Sequence, residues 1–255
     1  MFTPFFILGL PLISGKTILP VEAIYLSLLI EVCGFGSATL GYYRQRVIDF
    51  RAAGYAMAVS VPFAVGISLI AHRVPEGWLL FILGLTLLVM SFLMYFAHRT
   101  PELGIPPESS PHIRNLVDSA GKRYTYAFRR TPLGGLLSGL GGVFVGFVGI
   151  GVGEFKTTYF ILGQKMPARV SVATGVPIVL ATVTAAVLAR IYVTGSGLAD
   201  FGVPWNVAAM CIPAVLLGGQ IAPRINRYLN PNHIKLVLFA LFSIVGIILV
   251  LRGLA

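Results

Sequence analysis

The sequence predicts an all-α polytopic membrane protein of two homologous, inverted helical repeats, the second carrying a glycine-broken re-entrant hairpin. Three observations carry this expectation: an apolar composition, residue matches that recur in order across two halves, and alternating glycines inside one apolar stretch. Of 255 residues, 56% are hydrophobic and 11% charged, whereas a soluble domain carries about 25% charged residues. Mean hydropathy is +0.87. The formal net charge of +10 does not point to nucleic acid. Its basic residues sit at the ends of apolar stretches and in one central loop, where they set topology beside anionic lipid.

Apolar runs at residues 22–43, 50–71, 77–97, 133–163, 168–193, 201–222 and 233–253 are spanning candidates, since crossing the hydrocarbon core takes roughly 20 residues. The run 133–163 is interrupted, and residues 2–13 are apolar but too short to span. No signal peptide followed by a polar domain is present. The organisation expected is a first transmembrane repeat over residues 1–98, a cytoplasmic linker over 99–131 and a second repeat over 132–255.

The repeat is read from Phe6-Ile7-Leu8-Gly9 and Phe160-Ile161-Leu162-Gly163, Asp49-Phe50 and Asp200-Phe201, Pro62 and Pro213, and Ile70-Ala71-x-Arg73 and Ile221-Ala222-x-Arg224. Each match is cheap alone. In order and at matched spacing they indicate duplication, a common plan of secondary transporters. Charge gives the orientation. Arg44, Arg46 and Arg51 cluster in the first loop of the first half, against His72 and Arg73 in the next; in the second half Arg190 stands alone, and Arg224, Arg227 and Lys235 come later. By the positive-inside rule the halves insert in opposite directions, inverted rather than parallel. That requires residues 133–163 to enter and leave on one side. About 15 residues before Gly149 and about 10 after Gly153 suit two half-helices, not two spans.

The linker holds His98, Arg99, Arg114, Lys122, Arg123, Arg129 and Arg130, which places it in the cytoplasm. Within it, Asn115 to Tyr126 reads as a small β-hairpin around an Asp118-Ser119-Ala120-Gly121 turn, a solvated linker more than a regulatory module.

The run Gly149-Ile150-Gly151-Val152-Gly153-Glu154-Phe155-Lys156 marks the candidate site. Glycine breaks a helix, and inside a bilayer broken backbone is tolerated only where protein or a water-filled cavity satisfies it. A helix starting near Glu154 offers unpaired N–H groups and a positive dipole end, which attract anions. The expected substrate-binding set is Gly151, Val152, Gly153, Lys156 and Thr157, with Thr158 a further donor, and Ser27, Ser171 and Thr174 from the neighbouring repeat helices. Glu31 and Glu154 are the coupling or buried-charge candidates. Glu31 pairs with Lys156 or carries a proton; Glu154 titrates or pairs elsewhere. Structural ion pairing and helix–helix hydrogen bonding are the alternatives for these groups. Arg44, Arg51, Arg190 and Arg224, near helix ends, read as snorkelling anchors. Cys33 and Cys211 read as buried inert thiols. The four histidines have no metal-ligand spacing, and no Ser-His-Asp, Cys-His or phosphate-loop pattern occurs. No enzyme activity, cofactor or metal is expected. The partners are a small anion and the lipid bilayer of the cell (inner) membrane, with no nucleic acid; a homo-oligomer is left open.

Three segments resemble the sulfite exporter TauE/SafE family. Tyr42-Tyr43-Arg44-Gln45-Arg46-Val47-Ile48-Asp49-Phe50 is similar to its Tyr-x-Arg-Gln-Gly-x-x-Asp-Trp segment, and Gly149-Ile150-Gly151-Val152-Gly153 to its Gly-x-Gly-Gly-Gly break. Pro167-Ala168-Arg169-Val170-Ser171-Val172-Ala173-Thr174-Gly175 is similar to its Pro-x-x-Ala-x-Ala-Thr-Ser segment. Gly175 stands for the usual Ser, and Val152 for a Gly. The resemblance covers nearly the whole chain and implies a secondary transporter, an exporter of sulfite or organosulfonates, alternating access around a midplane site. A non-transporting subunit or scaffold, an intramembrane enzyme and a carrier of another small solute are the rivals. Phe2-Thr3-Pro4-Phe5-Phe6-Ile7-Leu8-Gly9 matches only the part C-terminal to the glycine break, so the first repeat is expected to be incomplete. A start assigned too late is the favoured explanation, ahead of a partner or a water-filled cavity filling the gap.

Overall fold

A computed structural model describes residues 2–9, 19–71, 73–99, 113–194, 205–225 and 231–254. His72, His112, Asp200, Phe201 and Arg227 lie outside the described residues, as do the side chains of His98, His233 and Lys235.

The chain opens with α1, Phe2–Pro4, which runs on as a π-helical turn over Phe5–Gly9. The long helices are α2 (Pro20–Arg44), α3 (Phe50–Ala71), α4 (Glu76–Arg99), α7 (Ala168–Thr194), α8 (Trp205–Ile225) and α9 (Pro231–Leu254). Two shorter ones, α5 (Pro132–Val148) and α6 (Val152–Leu162), occupy the interrupted run. Among the described residues, α2, α3, α7 and α8 are long and apolar enough to cross a membrane; Glu76–Phe92, Pro132–Val148 and Phe239–Leu254 are shorter apolar stretches.

Local signals place the helix starts. Pro20 opens α2, and the Glu22 carboxylate accepts the Leu19 N–H at 3.2 Å; a proline costs nothing in a first turn, whose N–H groups lack helical partners anyway. Asp49 caps α3, its Oδ1 accepting the amides of Arg51 and Ala52, both at 3.0 Å. Pro62 and Pro213 lie inside α3 and α8, each removing one helical hydrogen bond.

Contacts fix the helix directions. In α4 and α9, Gly77 lies beside Gly253, Gly84 beside Val250, and the Ser91 and Ser243 hydroxyls are 2.6 Å apart. These two helices are antiparallel and close; a Cβ on Gly84 would come within 2.6 Å of the Val250 nitrogen. Helices α2 and α7 are also antiparallel, with Tyr25 beside Arg190 and Gly36 beside Leu180. By contrast α3 runs parallel to α7, through Asp49–Thr174 and Ser60–Thr182 contacts at 3.1 and 2.9 Å. In the same way α2 runs parallel to α8, through Gly34–Val215 and Gly41–Pro223.

Strands β1 (Ile113–Val117) and β2 (Arg123–Ala127) pair antiparallel, Ile113 opposite Ala127 and Val117 opposite Arg123. In the turn, Asp118 Oδ1 accepts the amides of Ala120 and Lys122 at 2.8 and 2.9 Å, and Gly121 takes φ +82, which costs glycine little. The hairpin is clasped to the helix ends by two polar clusters. In one, Asp49 takes both carboxylate oxygens to Arg114 Nη1, at 2.7 and 2.8 Å, and accepts the Tyr126 hydroxyl at 2.8 Å. In the other, Arg169 reaches Asp118 at 3.1 Å, the Tyr124 hydroxyl at 2.9 Å and the Gln45 side chain at 3.0 Å. Burial alone would raise the Asp118 carboxyl; the Lys122 and Ala120 amides and the Arg169 guanidinium outweigh it and hold it below its ordinary 3.8. Burial first, then the Asp49 carboxylate, push the Tyr126 hydroxyl above its ordinary value, so it stays a donor.

Candidate functional site at the glycine break

Helix α5 starts at Thr131, whose hydroxyl accepts the Gly134 amide at 3.1 Å, and stops at Gly149, φ +82, whose N–H donates to Val145 O at 2.9 Å. Gly151, at φ +134, then precedes α6. Two residues outside the ordinary L range turn the chain back on itself. The arms pack antiparallel: Gly141 lies against Val152, Gly134 against the Tyr159 ring, and the Thr131 and Tyr159 hydroxyls are bonded. Small residues set the hairpin deep. A Cβ on Gly142 would run into the Ser60 carbonyl of α3, and one on Gly146 would come within 2.6 Å of Ile67.

The tip, residues 149–151, is buried. Gly149 faces Leu28 of α2, and Gly153 faces Val179 of α7. Phe6 and Ile7 of the π-helical turn after α1 share an apolar cluster with Val148, Ile150 and Phe155, and the Thr3 hydroxyl of α1 points at the Val148 carbonyl, 3.5 Å away. The leading amides of α6 lack intrahelical acceptors, and Glu154 stands in its first turn, where a carboxylate complements the dipole.

The residues expected from the sequence separate into two groups. Gly151 lies in the tip, and Val152, Gly153 and Glu154 begin α6 directly after it. Ser27 is the neighbour of Leu28 and donates to the Ala23 carbonyl at 2.7 Å. Glu31 is buried about one turn further along α2, within electrostatic reach of Glu154.

Lys156, Thr157, Ser171 and Thr174 lie away from the tip, towards the β-hairpin. The Lys156 side chain is 1% exposed, and its Nζ donates to the Gly134 carbonyl at 3.1 Å. It also stands over the Tyr159 and Phe160 rings, 5.1 and 4.9 Å from their centroids. Gly134 is seven residues before the point where α5 meets Val152, so the ammonium is about 10 Å from the tip at 1.5 Å per residue. Thr157 abuts Gly175 of α7. Thr174 accepts the Asp49 amide at 3.1 Å and Ser171 donates to Met166 O at 3.3 Å, both near the clasped end. Thr158 is buried.

The cation held on the last turn of α5, just before the tip, is Arg190. It is 4% exposed, and its Nη2 donates to the carbonyls of Gly146 at 2.6 Å and Phe147 at 3.0 Å. Its guanidinium lies 5.2 Å from the Tyr25 ring centroid, and the Tyr25 side chain is a hydrogen-bond partner as well. The reading of Arg190 as a snorkelling anchor is therefore corrected; Arg44, Arg51 and Arg224 are exposed, and Arg190 alone of the four turns inward. The sequence signal available was an arginine four residues inside an apolar run, where charge is functional by default. Its neighbours at Gly146 and Tyr25 are invisible in sequence. Cys33 and Cys211 are free and half-buried rather than fully buried.

The profile of the family described as sulfite exporter TauE/SafE matches residues 1–249. The chain belongs to that family. A curated relative, "Probable membrane transporter protein YunE" of Bacillus subtilis (strain 168), is 25% identical over 240 residues, 93% of this chain and 84% of its own. No solved structure matches the chain significantly. This TauE/SafE protein is thus a multi-pass member of a membrane-transporter family, and the family match runs from α1 into α9.

Proposed function

We propose that this protein is a secondary transporter that exports small sulfur-containing anions, sulfite or an organosulfonate, by alternating access around the glycine-broken tip. The observation that carries the reading is the tip itself: a helix start buried among α1, α2 and α7, in a chain whose long helices are apolar. Backbone amides at such a start favour an anion. Ser27, Gly151, Val152 and Gly153 are the proposed central site. Lys156, Thr157, Ser171 and Thr174 then line the approach from the β-hairpin side, with Lys156 drawing anions inward.

The helix directions support inverted repeats. Helices α2 and α7, which correspond in the sequence matches, pack antiparallel, as do α4 and α9. In reciprocal fashion α2 packs on α8 as α7 packs on α3. Residues 1–98 and 132–255 are the proposed repeats, α5 and α6 the proposed re-entrant hairpin, and rocking of one repeat against the other the proposed motion. The basic linker supports a β-hairpin on the cytoplasmic side of the cell (inner) membrane.

The Glu31–Glu154 proximity favours a second reading, a carrier whose tip takes a proton or cation. Efflux of labelled sulfite from proteoliposomes separates the two. Competition by sulfite analogues, with Lys156→Ala slowing efflux about tenfold, is expected for the anion site. Wild-type rates in Lys156→Ala would remove Lys156 from the approach, and competition by cations alone would reject the anion site.

A further inference from the structure

We infer that Arg190 is a positioning residue that pins the tip of the broken helix pair and ties it to the opposite half of the molecule. The inference rests on the transport reading, because it concerns how the tip moves. Helix α5 ends in the apolar interior, where its last carbonyls have no helical donors and no lipid group can supply them. Arg190 supplies two of them from α7, at 2.6 and 3.0 Å. A guanidinium at a helix C-terminus also opposes the negative end of the dipole. The same group bears on Tyr25 of α2 through both ring and side-chain hydrogen bond.

One side chain of the second half therefore holds the tip and a helix of the first half at once. Helix α2 carries Tyr25, Ser27, Leu28 and Glu31 past the tip within two turns, so any slide of α2 against α5 must remake the Arg190 contacts. Lys156 is the counterpart on the other flank: a buried cation also held by a carbonyl of α5, that of Gly134, with aromatic rings beneath it. The two cations hold the arm near its two ends, Lys156 near its start and Arg190 at the tip. Planar guanidinium geometry suits two carbonyls and a ring together, which a lysine ammonium cannot reproduce.

The test uses the full chain in detergent and in proteoliposomes, comparing wild type with Arg190→Gln, Arg190→Lys and Tyr25→Phe. Hydrogen exchange is expected to quicken about tenfold at the amides of residues 146–153 in Arg190→Gln, with residues 113–127 unchanged. Tyr25→Phe, which keeps the ring and folds like wild type, gives a smaller rise at the same amides, and Arg190→Lys lies between. Maximal sulfite flux falls about tenfold in Arg190→Gln, while the half-saturating concentration stays within about twofold. Unchanged exchange at the tip in both Arg190→Gln and Tyr25→Phe would overturn the inference. So would acceleration spread evenly along the chain, or a raised half-saturating concentration at full maximal flux, which would make Arg190 a substrate ligand. If the wild type carries no sulfite yet the tip still loosens on substitution, the substrate reading fails and the pinning role stands.

Discussion

The two polar regions of this molecule solve the same problem in opposite ways. At the β-hairpin clasp, acids meet bases: Asp49 holds Arg114 and Tyr126, and Asp118 holds Arg169. Along the broken helix pair, the cations Arg190, near the glycine break, and Lys156, near the start of α5, are held by backbone carbonyls and aromatic faces. The clasp leaves Arg114 and Arg169 about a quarter exposed, so water shares the cost of holding charge and each ion pair is worth modest energy. The break has no such help. The carbonyls that the broken helix frees in its last turn are the acceptors Arg190 takes, so that cation satisfies two needs at once. Carboxylates are drawn instead to the helix start, where Glu154 stands.

The difference can be broken from either side. The largest effect is expected from Gly142→Leu, because its Cβ has no room beside the Ser60 carbonyl. Forcing the arm off α3 costs on the order of 3 kcal/mol, read as a lowered unfolding temperature and as lost protection along α5 and α6. Next is Asp49→Ala, which strands Arg114 and Tyr126 and uncaps α3. A loss of about 2 kcal/mol, discounted for the exposed arginine, should free the strand amides of β1 and β2 to exchange while the tip stays protected. Equal loosening at both places would erase the distinction between the regions.

Acid should act on the clasp next. The Asp118 carboxyl titrates below its ordinary 3.8 in the folded protein, so it contributes stability above that pH and loses it as pH falls through the lower folded value. Hairpin protection is therefore flat down to about pH 4 and falls in stronger acid. Asp118→Asn removes that dependence; an unchanged acid profile in the variant would assign it to another carboxylate. The smallest effect is expected at Ser60→Ala, which removes a neutral hydroxyl pair with Thr182 between α3 and α7. About 1 kcal/mol is lost, measured as a small fall in unfolding temperature.

Much of this is legible in the sequence. Apolar runs mark the long helices, since roughly 20 such residues have few other uses, and the glycines at 149 and 151 announce the break because their backbone angles suit no other residue well. Asp118 and Gly121 mark the hairpin turn through local chemistry. Partnership at a distance stays hidden. Lys156 bonds Gly134, 22 residues back; Asp49 meets Arg114 and Tyr126, 65 and 77 residues on; Arg190 caps a helix 44 residues earlier. Local pattern carries no trace of such pairs. Proximity in the chain groups Lys156 with the tip, although more than a helical turn and a long side chain carry its ammonium the other way. Arg169 lies in a recognisable segment without any sign that it holds the Asp118 turn.

The most direct measurement is sulfite efflux from proteoliposomes holding either the wild-type chain or Gly151→Ala, with unfolding temperature measured on both. Gly151 holds φ +134 at the start of α6, so a side chain there disturbs the leading amides of that helix. Saturable efflux by the wild type, lost at least about tenfold in a Gly151→Ala protein that is still folded, is the expected result. A folded Gly151→Ala variant that moves sulfite at the wild-type rate would contradict the placing of the anion site at the glycine break.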